Sequence, residues 1–121
     1  MAQPKIGQAM PEFYDTHAHL DFPDFREELD EVVQRAAEVG ISRIVTIGTD
    51  LESSRRAIDL AKRFDGVFAA VGWHPNDCLS APDDVRGELE GLAKAAKVVA
   101  IGEIGIDHYR LPSTRGGSAA D

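Results

Sequence analysis

The 121-residue chain sets 13 Lys and Arg against 21 Asp and Glu, a formal charge of −8, and 43% of its residues are apolar. That is ordinary material for one globular domain burying roughly two thirds of its unfolded surface, and it excludes disorder of the whole chain. Its apolar runs fall far short of the roughly 20 residues of a membrane helix, its single cysteine, Cys78, permits no internal disulfide, and its acidity argues against a broad basic face for nucleic acid. In chain order, residues 1–12 form an N-terminal extension with no apolar stretch of signal-peptide length, so a reducing cytoplasm is the expected location. Phe13 to Leu20 is a strand-like run that ends at Asp21-Phe22-Pro23. A helix is predicted next, capped by Asp24 with Glu27 three residues on, apolar at Phe25, Leu29, Val32, Val33 and Ala36, and stopped by Gly40. Arg43 to Gly48 reads as the second strand. A second helix starts near Asp50, buries Ala57, Ile58, Leu60, Ala61 and Phe64, and ends by Gly66. Val67 to Gly72 is the third strand. Pro82 opens a helix with apolar Val85, Leu89, Leu92, Ala93 and Ala96, and Val98 to Gly102 is the fourth strand. Near-continuous apolar strands alternating with amphipathic helices make an α/β fold of βαβ units with a parallel sheet. Residues 13–110 form the domain, and 111–121 have the composition of a flexible tail.

The polar residues at the strand ends carry the chemistry. In Asp15-Thr16-His17-Ala18-His19, strand alternation projects Asp15, His17 and His19 from one face. Two imidazoles there suit a divalent metal, with the carboxylate as a further or supporting partner; a solvated polar pair is the alternative. Glu103 follows directly on the fourth apolar run, where an ionised carboxylate needs a cation, a charged partner such as Arg43, or an open cleft. Ligands of α/β folds sit at the carboxyl ends of the strands. His74, in Gly72-Trp73-His74-Pro75, shares that rim and could bind metal, contact a phosphate or hydrogen-bond its own loop. Trp73 reads as packing and Cys78 as a small hydrophobe. Asp107 lies close behind Glu103, and His108, Tyr109 and Arg110 form a polar cluster that could grip a phosphate.

Taken together, Asp15-Thr16-His17-Ala18-His19-Leu20-Asp21, Gly72-Trp73-His74-Pro75 and Gly102-Glu103-Ile104-Gly105-Ile106-Asp107, in this order at successive strand ends, resemble the TatD family of metal-dependent hydrolases. The resemblance covers about Phe13 to Arg110. It implies the N-terminal half of a TIM-type (β/α)8 barrel, one or two divalent cations (Mg, Mn or Zn), and hydrolysis of phosphodiester bonds in DNA. Carried over by position, it makes His17, His19 and Glu103 metal ligands and adds His74 and Asp107 to Glu103 as candidate catalytic residues, His74 as a substrate contact or a support for the ligands. His108 stands where the family usually has an aromatic.

A full barrel takes about 250 residues. The later histidines and aspartate of the family have no counterparts in this sequence, so the expectation is low or absent turnover by this chain and self-association through an open sheet edge. Two other readings stay open: a metal-binding or interaction half-barrel without catalysis, and an amidohydrolase-type enzyme acting on amides or lactones.

Overall fold

Apolar runs rich in β-branched residues become strands, and segments with apolar residues at helical spacing become helices, across residues 11–108 described by the computed structural model. The order is β1 (Phe13–Ala18), α1 (Leu29–Glu38), β2 (Ile41–Ile47), α2 (Leu51–Arg63), β3 (Val67–Val71), α3 (Arg86–Ala93) and β4 (Val98–Ile101). All strands pair in parallel in the spatial order β1-β2-β3-β4, with one helix in each crossover. The α/β expectation holds. Residues 1–10 and 109–121, with Tyr109, Arg110 and the proposed tail, lie outside the described residues.

The core sits between the sheet and the helices. Val67, Ala69 and Val71 of β3 are inaccessible to solvent, and α2 lays Ala57, Ile58 and Ala61 against them. Ala57 and Ala61 are fully buried, and their small side chains let the helix approach the sheet closely. Each Val or Ile buried there contributes about 1.5–3 kcal/mol.

Asp50 caps α2, its carboxylate accepting from the Ser53 N–H at 2.7 Å while Ser53 Oγ accepts from the Asp50 N–H at 3.0 Å. Partial burial pushes the Asp50 carboxyl up, but the Ser53 hydrogen bonds and the Arg56 guanidinium outweigh it and hold it below its ordinary value of 3.8. The other end of α2 is closed from outside. Lys97, at φ 69°, extends its ammonium to the carbonyls of Ala61 (2.5 Å), Phe64 (2.7 Å) and Asp65 (3.1 Å), a cation at a helix C-terminus. Gly40 ends the α1 crossover at φ 93°, where an added Cβ would run into the Pro11 carbonyl oxygen.

Two helix starts differ from expectation. Pro23–Phe25 forms a single 3₁₀ turn instead of the first turn of α1, because proline fixes a tight bend and the N–H groups of Phe25, Arg26 and Glu28 bond three residues back. The helix therefore begins at Leu29 with Glu28 at its N-cap, making no side-chain cap, and Asp24 caps nothing. Pro82 likewise precedes α3 without opening it. Asp84 Oδ1 accepts from the Arg86 N–H at 2.9 Å and its carboxylate grips the Arg86 guanidinium, so the chain makes a local turn and the helix starts at Arg86. Ala96 falls beyond that helix and is exposed. The first strand ends at Ala18 rather than Leu20.

The outer strands differ from the inner ones. Phe13 and Tyr14 on β1 are 53% and 56% exposed, and Val99 and Ile101 on β4 are 56% and 49% exposed. Among the described residues no strand pairs with the free edges of β1 and β4. In a flat sheet these two strands would stand roughly 14 Å apart. Side chains from their carboxyl ends nevertheless meet, with ligand atoms of His17, His19 and Glu103 within 4.8 Å of one another.

Candidate metal centre

At the end of β1 the ladder with β2 slips. Asp15 pairs with Ile44 but Ala18 with Thr46, so β1 carries one extra residue there, a bulge that re-aims side chains at the sheet's end. Fully buried Thr46 pins the chain just beyond the bulge, its Oγ1 accepting from the Leu20 N–H at 3.1 Å. The rings of His17 and His19 meet edge to face with centroids 5.2 Å apart, and His19 also stacks on Phe22 at 4.8 Å. His19 Nδ1 lies 3.2 Å from the Ile47 carbonyl oxygen. A carbonyl can only accept, so that nitrogen bears the proton and Nε2 keeps its lone pair. Asp15 does not join the two rings as strand alternation suggested: its Oδ1 accepts from the His17 N–H at 3.1 Å, turned back by the irregularity in the strand.

Glu103 arrives from β4, half-buried. Its Oε2 lies 3.3 Å from His17 Nε2 and its Oε1 lies 3.1 Å from His74 Nε2. The alternative partner Arg43 is elsewhere, its guanidinium over the rings of Tyr14 and Phe68 at 5.5 and 5.6 Å. Ligand atoms of His17, His19 and Glu103 all lie within 4.8 Å of one another. Two imidazole nitrogens and a carboxylate oxygen, with one ring oriented by a backbone carbonyl, are a donor set that fits a divalent cation. Asp107 is half-buried on the segment after Glu103 and His108 is exposed; neither belongs to this trio.

β3 supplies the third wall. An added Cβ on Gly72 would lie 2.6 Å from the carbonyl carbon and oxygen of Gly102 and 2.7 Å from the Glu103 carbonyl oxygen, so only glycine lets β3 and β4 approach this closely. The Gly72 peptide groups are held by buried Ser54, whose Oγ accepts from the Gly72 N–H at 3.1 Å and donates to the Gly72 carbonyl at 3.3 Å. His74 is anchored by its N–H to the Thr49 carbonyl at 2.8 Å, and its Nδ1 faces the Asn76 N–H at 3.0 Å. Trp73 is half-buried and donates from Nε1 to the Asp77 carbonyl at 2.7 Å, a packing role at the rim. Cys78 is half-buried in the 3₁₀ turn over Pro75–Ser80.

Ser54 and Thr46 are supports that the sequence motifs do not include. A signal for Ser54 is nevertheless present, since it stands in register with Ala57, Ile58 and Ala61 on the apolar face of α2, where a hydroxyl needs a buried partner.

Residues 14–117 match the family model described as TatD related DNase. The chain belongs to that family. Among its relatives, the metal-dependent hydrolase YabD of Bacillus subtilis is 38% identical over 96 residues, covering 79% of this chain and 38% of the relative. The 3'-5' ssDNA/RNA exonuclease TatD of Cronobacter sakazakii is 37% identical over 101 residues, covering 84% of this chain and 38% of its own length. The crystal structure of YjjV, a TatD homolog from Escherichia coli K12, superposes with a TM-score of 0.72 at 38% identity, over 79% of this chain and 38% of that one. The chain thus spans less than half the length of the curated relatives it matches, and its four strands have the fold of the N-terminal half of a TIM-type barrel. No helix among the described residues is long and apolar enough to cross a membrane.

Proposed function

We propose that His17, His19 and Glu103 hold a divalent cation, magnesium, manganese or zinc, at the centre of a site that hydrolyses phosphodiester bonds in DNA. The observation that carries this reading is convergence: ligand atoms from the ends of β1 and β4, strands separated by two others, gather within 4.8 Å. The relative named a 3'-5' ssDNA/RNA exonuclease supports a nucleic-acid substrate. A cation held there lowers the pKa of bound water and polarises a phosphoryl oxygen. The residues divide the remaining work. His19 offers a lone pair at Nε2 because its other nitrogen donates to Ile47; Glu103 brings the negative charge; Asp107, on the segment behind Glu103, is the candidate to meet the substrate. With a net charge of −8, the chain draws little affinity from phosphate neutralisation away from the site.

Four strands are half of the eight that close a barrel, so turnover by this chain on its own is expected to be low. The exposed apolar residues of β1 and β4 support self-association through the open edges, which sedimentation at micromolar concentration reads directly. The lone cysteine supports a cytoplasmic setting. The central test is calorimetric titration with Mn²⁺: the parent chain binds, and the chain carrying both His17→Ala and His19→Ala does not. Equal binding by both sinks the metal assignment. Release of nucleotides from a labelled single-stranded oligonucleotide with Mg²⁺ or Mn²⁺ is measured beside an amide and a lactone; cleavage of only the latter two moves the function to an amidohydrolase-type reaction.

A further inference from the structure

His74 and His19 stand on the same rim, both half-buried, yet their ring nitrogens are engaged in opposite senses. His19 Nδ1 meets a carbonyl, which accepts. His74 Nδ1 meets the Asn76 backbone N–H at 3.0 Å, which donates. A nitrogen that receives a proton donor must itself be bare, so His74 is the tautomer with its proton on Nε2. That proton points at Glu103 Oε1, 3.1 Å away. We infer that His74 is a positioning residue: the Asn76 N–H locks its tautomer, and its Nε2–H holds the Glu103 carboxylate in place, leaving Oε2 beside His17 for the cation. This rests on the cation reading above and goes beyond it, because it removes His74 from the possible ligands and gives it a directional task.

The supports for that task are all in the backbone. His74 is the N-cap of the 3₁₀ turn Pro75–Ser80, its own N–H is tied to Thr49 beyond the end of β2, and Pro75 fixes the turn's entry. Nothing in this frame depends on a cation. The carboxylate is therefore oriented before one binds, as outer hydrogen bonds orient metal ligands generally.

Two substitutions separate the two nitrogens. His74→Asn keeps an acceptor where Nδ1 caps the turn but cannot reach Glu103. His74→Gln places an N–H near the position of Nε2 but gives up the cap. The expected result is that His74→Asn loses Mn²⁺ affinity by roughly 10- to 100-fold with little change in thermal midpoint, whereas His74→Gln stays within about threefold of the parent in affinity and melts earlier. With a parent that binds Mn²⁺, undiminished affinity in His74→Asn, or an equal loss in both variants, overturns the proposal. A metal-free readout keeps it separate from the cation reading. Long-range proton–nitrogen correlation spectra of the ¹⁵N-histidine-labelled full chain, at mildly alkaline pH, should find His74 protonated at Nε2 and bare at Nδ1, with the Nε2 resonance shifted in Glu103→Ala. A bare Nε2 overturns the inference even if Mn²⁺ binds. The expected tautomer and shift sustain it even if the parent binds no Mn²⁺, in which case only the cation reading fails.

Discussion

The inner and outer strands of this sheet do different work. β2 and β3, with α2 on their face, hold most of the fully buried residues, Thr46, Val67, Ala69 and Val71 among them, and Ala57 and Ala61 seal them from the helix side. β1 and β4 leave large apolar side chains half in water, yet they supply His17, His19 and Glu103. Stability and the candidate metal centre are thus lodged in different strands. The outer ends are held in place by inner-strand groups: Thr46 on Leu20, the Ile47 carbonyl on His19, Gly72 against Gly102 and His74 on Glu103. Damage to the inner pair should therefore reach the site, while damage to the outer apolar residues should barely reach the fold.

That contrast can be broken in graded steps. Ile58, 6% exposed on α2, is the severest: Ile58→Ala removes buried carbon and leaves a cavity, costing about 2–5 kcal/mol in urea unfolding. Next is Gly72→Ala, whose Cβ meets backbone rather than a mobile side chain. We expect about 1–3 kcal/mol of lost stability together with a tenfold or greater fall in Mn²⁺ affinity, because Gly102 and Glu103 must move aside. If affinity is untouched, the approach of β3 to β4 does not shape the site.

Asp50→Ala should cost about 1 kcal/mol at neutral pH through loss of the α2 cap. The sign of its pH dependence comes from the lowered carboxyl. A group whose folded pKa lies below its unfolded value contributes stability above the ordinary value of 3.8 and loses that contribution as pH falls through the folded pKa. The gap between parent and Asp50→Ala should accordingly narrow in acid, and a gap that is constant from neutral pH to pH ~3 would assign the effect to something other than the charged cap. The smallest effect is reserved for β4, where Val99→Ser, at a 56% exposed position, should change stability by no more than about 0.5 kcal/mol. A larger loss would mean that Val99 is covered in solution, and sedimentation of the two proteins side by side would tell whether a second copy covers it.

The parallel βαβ order is legible in the sequence because buried strands leave continuous apolar runs and helices leave periodic ones. Asp50 is legible as the start of α2, and the structure adds Ser53 as the other half of its capping box. Asp24 offers the same local pattern, but Pro23 spends the neighbouring N–H groups in a 3₁₀ turn, and Asp84 diverts the start of α3 by binding Arg86. Of the candidate site, His17, His19 and Glu103 are visible as polar residues at the ends of apolar runs. Spacing cannot encode which nitrogen of a ring faces a donor or an acceptor. That is set by Ile47 and Asn76, one on a different strand and one on the turn after β3, through backbone groups whose residue type leaves no mark.

Lys97 closes α2 from the start of β4 with all three ammonium hydrogens spent on the carbonyls of Ala61, Phe64 and Asp65. Lys62 and Lys94 sit exposed on helix surfaces. An amine-directed acylating reagent should therefore modify those two promptly and reach Lys97 only when the junction between helix and strand comes apart. The delay at that single side chain would serve as a clock for local opening, read by peptide mass spectrometry without unfolding the protein.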